Sequence, residues 1–278
     1  MNELLVQGSN IAVVVFVVSS TLSVGLGLTV GQILAPLGNV RLVVLSLAAN
    51  FVVAPLVALG LWWALGLEQP LGVGLLVCGL AAGAPFLIKL AEFAKADLAF
   101  AVGLMVLLMV ITVGFVPLVL PFFVKGTAVN PARIAASLVV LMLIPLAAGL
   151  ALRARRQAAA GRIRPVLGRI STVSMILVVV LTLAGHFTSV LSVFGTFGIL
   201  AAVVYTVTCT GIGWFVGGPG AGTRGVLALG TAQRNTAAAF VVAGQNFHDP
   251  KVVVMITVVL IVDFLLLLPL ARLLARRR

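Results

Sequence analysis

LLVCGLAAGAPFLIKL, Leu75 to Leu90, runs apolar through Ala82, breaks at Gly83-Ala84-Pro85 and then carries a lysine, Lys89. A second stretch repeats the arrangement: GVLALGTAQRNTAAAFVVAG, Gly225 to Gly244, is apolar at both ends and holds Arg234 between Gln233, Asn235 and Thr236. Nearly every other Lys or Arg falls in a short loop or at the C-terminus. A cation at mid-bilayer costs about 2.5–3.5 kcal/mol even on the lenient insertion scale. Charge beside interrupted apolar helices marks a transport site more often than an accident.

Outward from these two stretches the chain stays apolar. Of its 278 residues, 62% are hydrophobic and 9% charged, and the mean hydropathy is +1.29. A soluble domain carries about 25% charged residues. Apolar runs near the length that spans a bilayer recur from end to end, so the chain reads as an all-α polytopic membrane protein. The runs are continuous rather than alternating, which excludes a β-barrel. The net charge of +12 sits in loops, without the aromatic-interleaved basic stripe of a nucleic-acid binder. Cys78 and Cys209 lie inside apolar runs and form neither a disulfide nor a zinc pattern. The N-terminus lacks the cationic region of a cleaved signal peptide.

Nine spans are expected: 9–34, 40–67, 72–93, 98–124, 134–152, 170–187, 191–216, 222–244 and 252–274. They are separated by Gly, Pro or charge, including Pro36-Leu37-Gly38, Lys125 to Arg133 and an Arg-rich loop from Arg153 to Arg169. With the N-terminus outside, thirteen Lys and Arg fall on the inner side and three, Lys125, Arg133 and Lys251, on the outer. That asymmetry puts the C-terminus in the cytoplasm, and a cell (inner) membrane is the expected location. The ends of spans three and eight resemble one another and exit on opposite sides, the pattern of inverted repeats with interrupted helices. The expected repeats are 1–129, with four spans, and 130–278, with five.

Three motifs, in order, carry a family resemblance: SSTLSVGLGLTVGQI, Ser19 to Ile33; GLAAGAPFLIKLAEFAKADLAFAVGLMVLLMV, Gly79 to Val110; and LGTAQRNTAAAF, Leu229 to Phe240. Together they resemble the bile acid:sodium symporter family over nearly the whole chain. The resemblance implies a nine-span form lacking the family's first span. It implies a panel domain of spans one, five and six, and a core domain of the remaining spans. Broken helices three and eight would cross at the membrane centre beside the substrate.

The sodium ligands that the resemblance implies are largely replaced. Leu87 and Ile88 stand where the family has Ser-Asn, and Ala101 and Met105 where it has Ser and Thr. Gly230 replaces the Glu of the second crossing motif and Arg234 its Gln, while Asn235 is retained. Sodium takes hard oxygen ligands, so no sodium site and no other cofactor or metal is expected.

The candidate substrate-binding residues are Arg234, Gln233, Asn235, Lys89 and Thr231. Arg234 lies too deep to reach the interface, and a guanidinium fork suits a carboxylate, sulfate or phosphate. An ion pair with Asp263 is its structural alternative. Lys89 either holds an anion or snorkels to the nearer surface. Gln233 and Asn235 can satisfy freed backbone or a ligand, and Thr231 either binds or packs. Asp263, the one acid deep in a span, is the candidate for charge pairing or for proton coupling. Nucleophile–base pairs and phosphate loops are missing from the sequence, so no enzyme is expected. The expected function is alternating-access transport of a small organic anion, sodium-independent or proton-coupled. A non-transporting membrane receptor on the same fold is the alternative.

Overall fold

The computed structural model describes residues 2–34, 38–124, 130–193 and 195–276. The break at Pro36-Leu37 and the cations Lys125, Arg277 and Arg278 lie outside them. Among the described residues the secondary structure is helical, and seven helices are long and apolar enough to cross a membrane. They are α1 (Asn2–Gly27), α3–α4 (Val40–Ala48 and Ala54–Ala64, joined by a π-helical turn Ala49–Val53), α7 (Leu98–Phe123), α8–α9 (Pro131–Leu138 and Ile144–Arg155, joined by a second π-helical turn Val139–Leu143), α10 (Gln157–Gly185), α12 (Gly198–Val216) and α15 (Pro250–Arg276). At about 1.5 Å per residue, each can match a hydrocarbon layer near 30 Å. Short helices α2 (Val30–Leu34) and α11 (Phe187–Val193) sit between spans.

The remaining two spans are broken. The first consists of α5 (Gln69–Leu80) and α6 (Leu87–Phe93), the second of α13 (Ala221–Ala232) and α14 (Thr236–Asn246). Sequence explains the first break: Ala81 is extended (φ −91°, ψ 103°), Gly83 takes φ +80°, and Pro85 disfavours helix at Ala84. The second break holds neither Gly nor Pro. Gln233 turns extended, and Asn235 then leaves the helical region to cap α14, its Oδ1 accepting from Ala238 N at 3.1 Å.

The spans sort into two bundles. In one, α1 packs on α9 and α10. Gly25 and Gly149 face each other so closely that a Cβ on either would lie 3.0 Å or less from the other's Cα. Two bare backbones in contact are how small residues join helices in lipid, where burial gives no drive. In the other, α3–α4, α5–α7 and α12–α15 surround the breaks, and α5 is buried from Leu71 through Leu80.

Several boundaries differ from the sequence expectation: the first span, expected over 9–34, runs Asn2–Gly27 and leaves Val30–Leu34 as the separate α2. The Arg153–Arg169 stretch is helical apart from the single joint at Arg156, because Ala, Arg and Gln are strong helix formers. The expected span from Leu191 instead starts at Gly198, after α11 and the Gly195 turn (φ +95°). Of the adjacent tryptophans near the end of α4, Trp63 is exposed, whereas Trp62 packs its ring over Gly72.

Candidate functional site

The two breaks clasp each other. Asn235 N donates to Ala81 O at 2.9 Å, and Asn235 Nδ2 donates to Ala82 O at 3.3 Å and Gly83 O at 3.1 Å. One fully buried asparagine thus caps α14 and satisfies carbonyls freed by the first break. A long helix braces each break from behind. Thr112 on α7 receives Ala82 N at 2.9 Å and donates to Ala82 O at 3.0 Å. On α15, Asp263 accepts from Arg234 N at 3.4 Å and from the Thr206 hydroxyl at 2.8 Å.

Arg234 is 1% exposed, and its guanidinium turns into the core bundle. Each of its N–H groups finds an oxygen. Nε donates to Cys78 O at 3.0 Å. Nη1 donates to Asn50 Oδ1 at 2.9 Å and Thr231 O at 3.1 Å, and Nη2 to Asn50 O at 3.3 Å and Gly79 O at 2.6 Å. Cys78 and Gly79 end α5, and Thr231 ends α13. The charge therefore sits at the negative ends of two half-helices, where carbonyls lack intrahelical partners. Among the described residues no carboxylate lies within salt-bridge distance of Arg234: the Arg234–Asp263 contact runs through the main-chain amide, and Asp263 forms no ion pair.

Lys89 lies nearer the surface. Its side chain is 58% exposed and pairs with Glu92 at 2.6 Å, one helical turn away. Thr231 is fully buried, and its hydroxyl accepts from Asn50 Nδ2 at 3.4 Å. Gln233 is 5% exposed, and its Oε1 has no hydrogen-bond partner among the described residues.

A cleft of about 260 Å³ lies between the bundles. Phe16, Ser20 and Ser23 of α1 and Gly168, Ser171 and Thr172 of α10 form one wall. Pro85, Phe86, Lys89, the run from Gln233 to Ala237, Leu260 and Phe264 form the other. The structure thus brings Lys89, Gln233, Arg234 and Asn235 to one cleft and places Thr231 and Asp263 behind it. Among the described residues the lining contains cations and hydroxyls but neither Asp nor Glu. Away from the cleft, α1 and α8 pack against α14 and close that part of the bundle interface.

Sequence reasoning passed over Asn50, which supplies two of the five guanidinium acceptors. Its signal was available: it is the one amide in the apolar run Val40–Ala64. The π-helical turn that contains Asn50 shifts the local register, a feature common at functional positions. Leu87 and Gly230, two of the positions where the resemblance implies sodium ligands, touch: a Cβ on Gly230 would lie 2.9 Å from the Leu87 side chain. Ala101 and Met105 are fully buried.

The family model described as SBF, Sodium Bile acid symporter family, matches residues 13–193. The matched stretch includes the first broken helix and ends before the second. No curated protein matches the chain.

Proposed function

The chain belongs to the sodium bile acid symporter family, and from that premise we propose that it moves a small organic anion by alternating access, without sodium. The α1/α8–α9/α10 bundle would act as the panel and the rest of the described helices as the core. The cationic, carboxylate-free cleft between them carries the reading. An anion entering it meets Lys89, the α14 N-terminus and the field of Arg234, all of favourable sign.

Arg234 supports the sodium-independent part. Discontinuous helices in transporters hold coupling cations with unwound carbonyls and half-helix C-terminal ends. Here a tethered guanidinium meets those groups: Cys78 O, Gly79 O, Thr231 O and both oxygens of Asn50. In this reading Arg234 is a permanent cation at the crossing, and its role toward substrate is electrostatic. Asn235 fixes the two breaks together, while Gln233, Lys89 and the panel hydroxyls meet the substrate. Thr231 helps hold the guanidinium. The hydrocarbon contact between Leu87 and Gly230 argues in the same direction, since it offers an ion no oxygen.

Proton coupling through Asp263 is a second reading, favoured by its carboxylate resting on the Arg234 main-chain amide. Protonation would weaken that contact and loosen the second break. The repeats 1–129 and 130–278 remain part of the proposal, and the bracing of the breaks from α7 and from α15 accords with them. The excess of Lys and Arg on one side supports a cytoplasmic position for the Arg-rich α9–α10 end.

The test is counterflow in proteoliposomes preloaded with an unlabelled bile acid, cholate, and then with other amphipathic carboxylates. Transient accumulation of labelled anion above equilibrium is expected. Saturable binding at protein stoichiometry, with no accumulation for any anion, would make the chain a receptor instead.

A further inference from the structure

Two arginines line the cleft, and they differ in what their guanidiniums have left to give. Each N–H group of Arg234 is committed to a protein oxygen. The Arg164 guanidinium, on α10 at the mouth of the cleft, makes no hydrogen bond and no ion pair among the described residues. Lys89, across the mouth, is already paired with Glu92.

Arg164 is also seated. A Cβ on Gly27 would lie 2.6 Å from Arg164 Nε and 2.7 Å from Cζ, so the guanidinium rests on bare α1 backbone. Any larger residue at position 27 would displace it. The Ser23 hydroxyl donates to Arg164 O at 3.3 Å and ties the same turn of α10 to α1. One turn on, Gly168 and then Ser171 and Thr172 continue the cleft wall. The arrangement offers a planar fork of unspent donors beside a cavity with apolar walls of Phe16, Phe86, Leu260 and Phe264. That fork matches the paired oxygens of a carboxylate or sulfonate.

We infer that Arg164 is the residue that directly grips the anionic group of the substrate. This rests on the organic-anion reading above and adds a division of labour to it. The panel contributes the hydrogen-bonding cation, whereas the core contributes the fixed field of Arg234 and the lysine of the opposite lip. The Lys89–Glu92 pair is solvent-exposed and weak, so Lys89 can exchange partners when an anion arrives. Arg164 rides on one bundle and Lys89 on the other, so an anion held by both links the two surfaces that move.

The experiment measures equilibrium binding to the full chain in nanodiscs, for a panel of amphipathic carboxylates and sulfonates beginning with cholate. Each acid is paired with its neutral amide. Arg164→Gln is expected to weaken acid binding tenfold or more while leaving amide binding unchanged. Arg164→Lys should retain part of the acid affinity, and Gly27→Ala should lose part of it by displacing the guanidinium. Arg162→Gln, on the same helix but outside the cleft lining, should bind as the parent does. Acid binding unchanged in Arg164→Gln would overturn the assignment of Arg164 alone. An equal fall for acid and amide would do the same, since it would mark a structural role. If no acid in the panel binds the parent, the organic-anion reading falls and this one with it.

Discussion

Arg234→Ala is expected to abolish transport and to melt about 10 °C below the parent protein, on the scale of roughly 2–4 °C per kcal/mol for domains of comparable size. The substitution removes one side chain that donates to five buried acceptors; Cys78 O keeps a second donor, Ala81 N at 3.1 Å, while Gly79 O, Thr231 O, Asn50 O and Asn50 Oδ1 lose the guanidinium. Breaking a buried charged network from one side costs about 3–5 kcal/mol, because the groups left behind keep their desolvation cost without a partner. The same deletion leaves the C-terminal ends of α5 and α13 facing each other with no positive charge between them. Arg234→Lys keeps the charge but not the fork, so it should fall between the parent and Arg234→Ala. Millimolar guanidinium added to Arg234→Ala should raise its melting temperature and leave the parent unchanged. Thermal unfolding in detergent reads all three. A melting temperature for Arg234→Ala within a degree or two of the parent's would contradict the cation-cage account.

Asn235→Leu comes next in size, with an expected loss of about 3 kcal/mol. Two physical effects combine. Losing the cap of α14 costs about 0.5–2 kcal/mol, and leaving the Gly83 carbonyl dry without the Nδ2 donor costs about 1–3 kcal/mol, while Ala82 O keeps the Thr112 hydroxyl. Asn235→Ser separates them, since a serine restores the cap but cannot reach the first break. It should recover about 1 kcal/mol, the capping share. Counterflow should fail in Asn235→Leu even where folded protein is recovered, because the two breaks lose the side-chain link between them. The main-chain bond from Asn235 N to Ala81 O survives, so the crossing loosens rather than unfolds. Full recovery of stability by serine would mean that the asparagine serves α14 alone.

Much of this architecture was legible in the sequence, because lipid reduces the problem to apolar length. The spans and the two interruptions follow from runs of Leu, Val and Ala punctuated by Gly83, Pro85 and the polar cluster at Gln233–Thr236. The site was legible in composition and not in connection. Arg234 and Asp263 are each conspicuous in an apolar span, which makes an ion pair the structural alternative to substrate binding. The guanidinium instead takes backbone carbonyls at helix ends, and those carry no sequence signature. Asn50 was the one side chain in that cage with a readable signal. Lys89 resolved toward the surface because α6 is only seven residues long and Lys89 lies within one turn of its end. Arg164 was hidden for the opposite reason: it sits among many arginines that mark topology. Only its place over Gly27, at the mouth of the cleft, sets it apart.

The central claim is that a tethered guanidinium stands where a coupling ion would bind. Uptake of a labelled organic anion that shows counterflow, into proteoliposomes with external sodium replaced by potassium, tests it most directly. The account predicts equal initial rates in the two salts, with no pH gradient imposed. A strict requirement for sodium would contradict it.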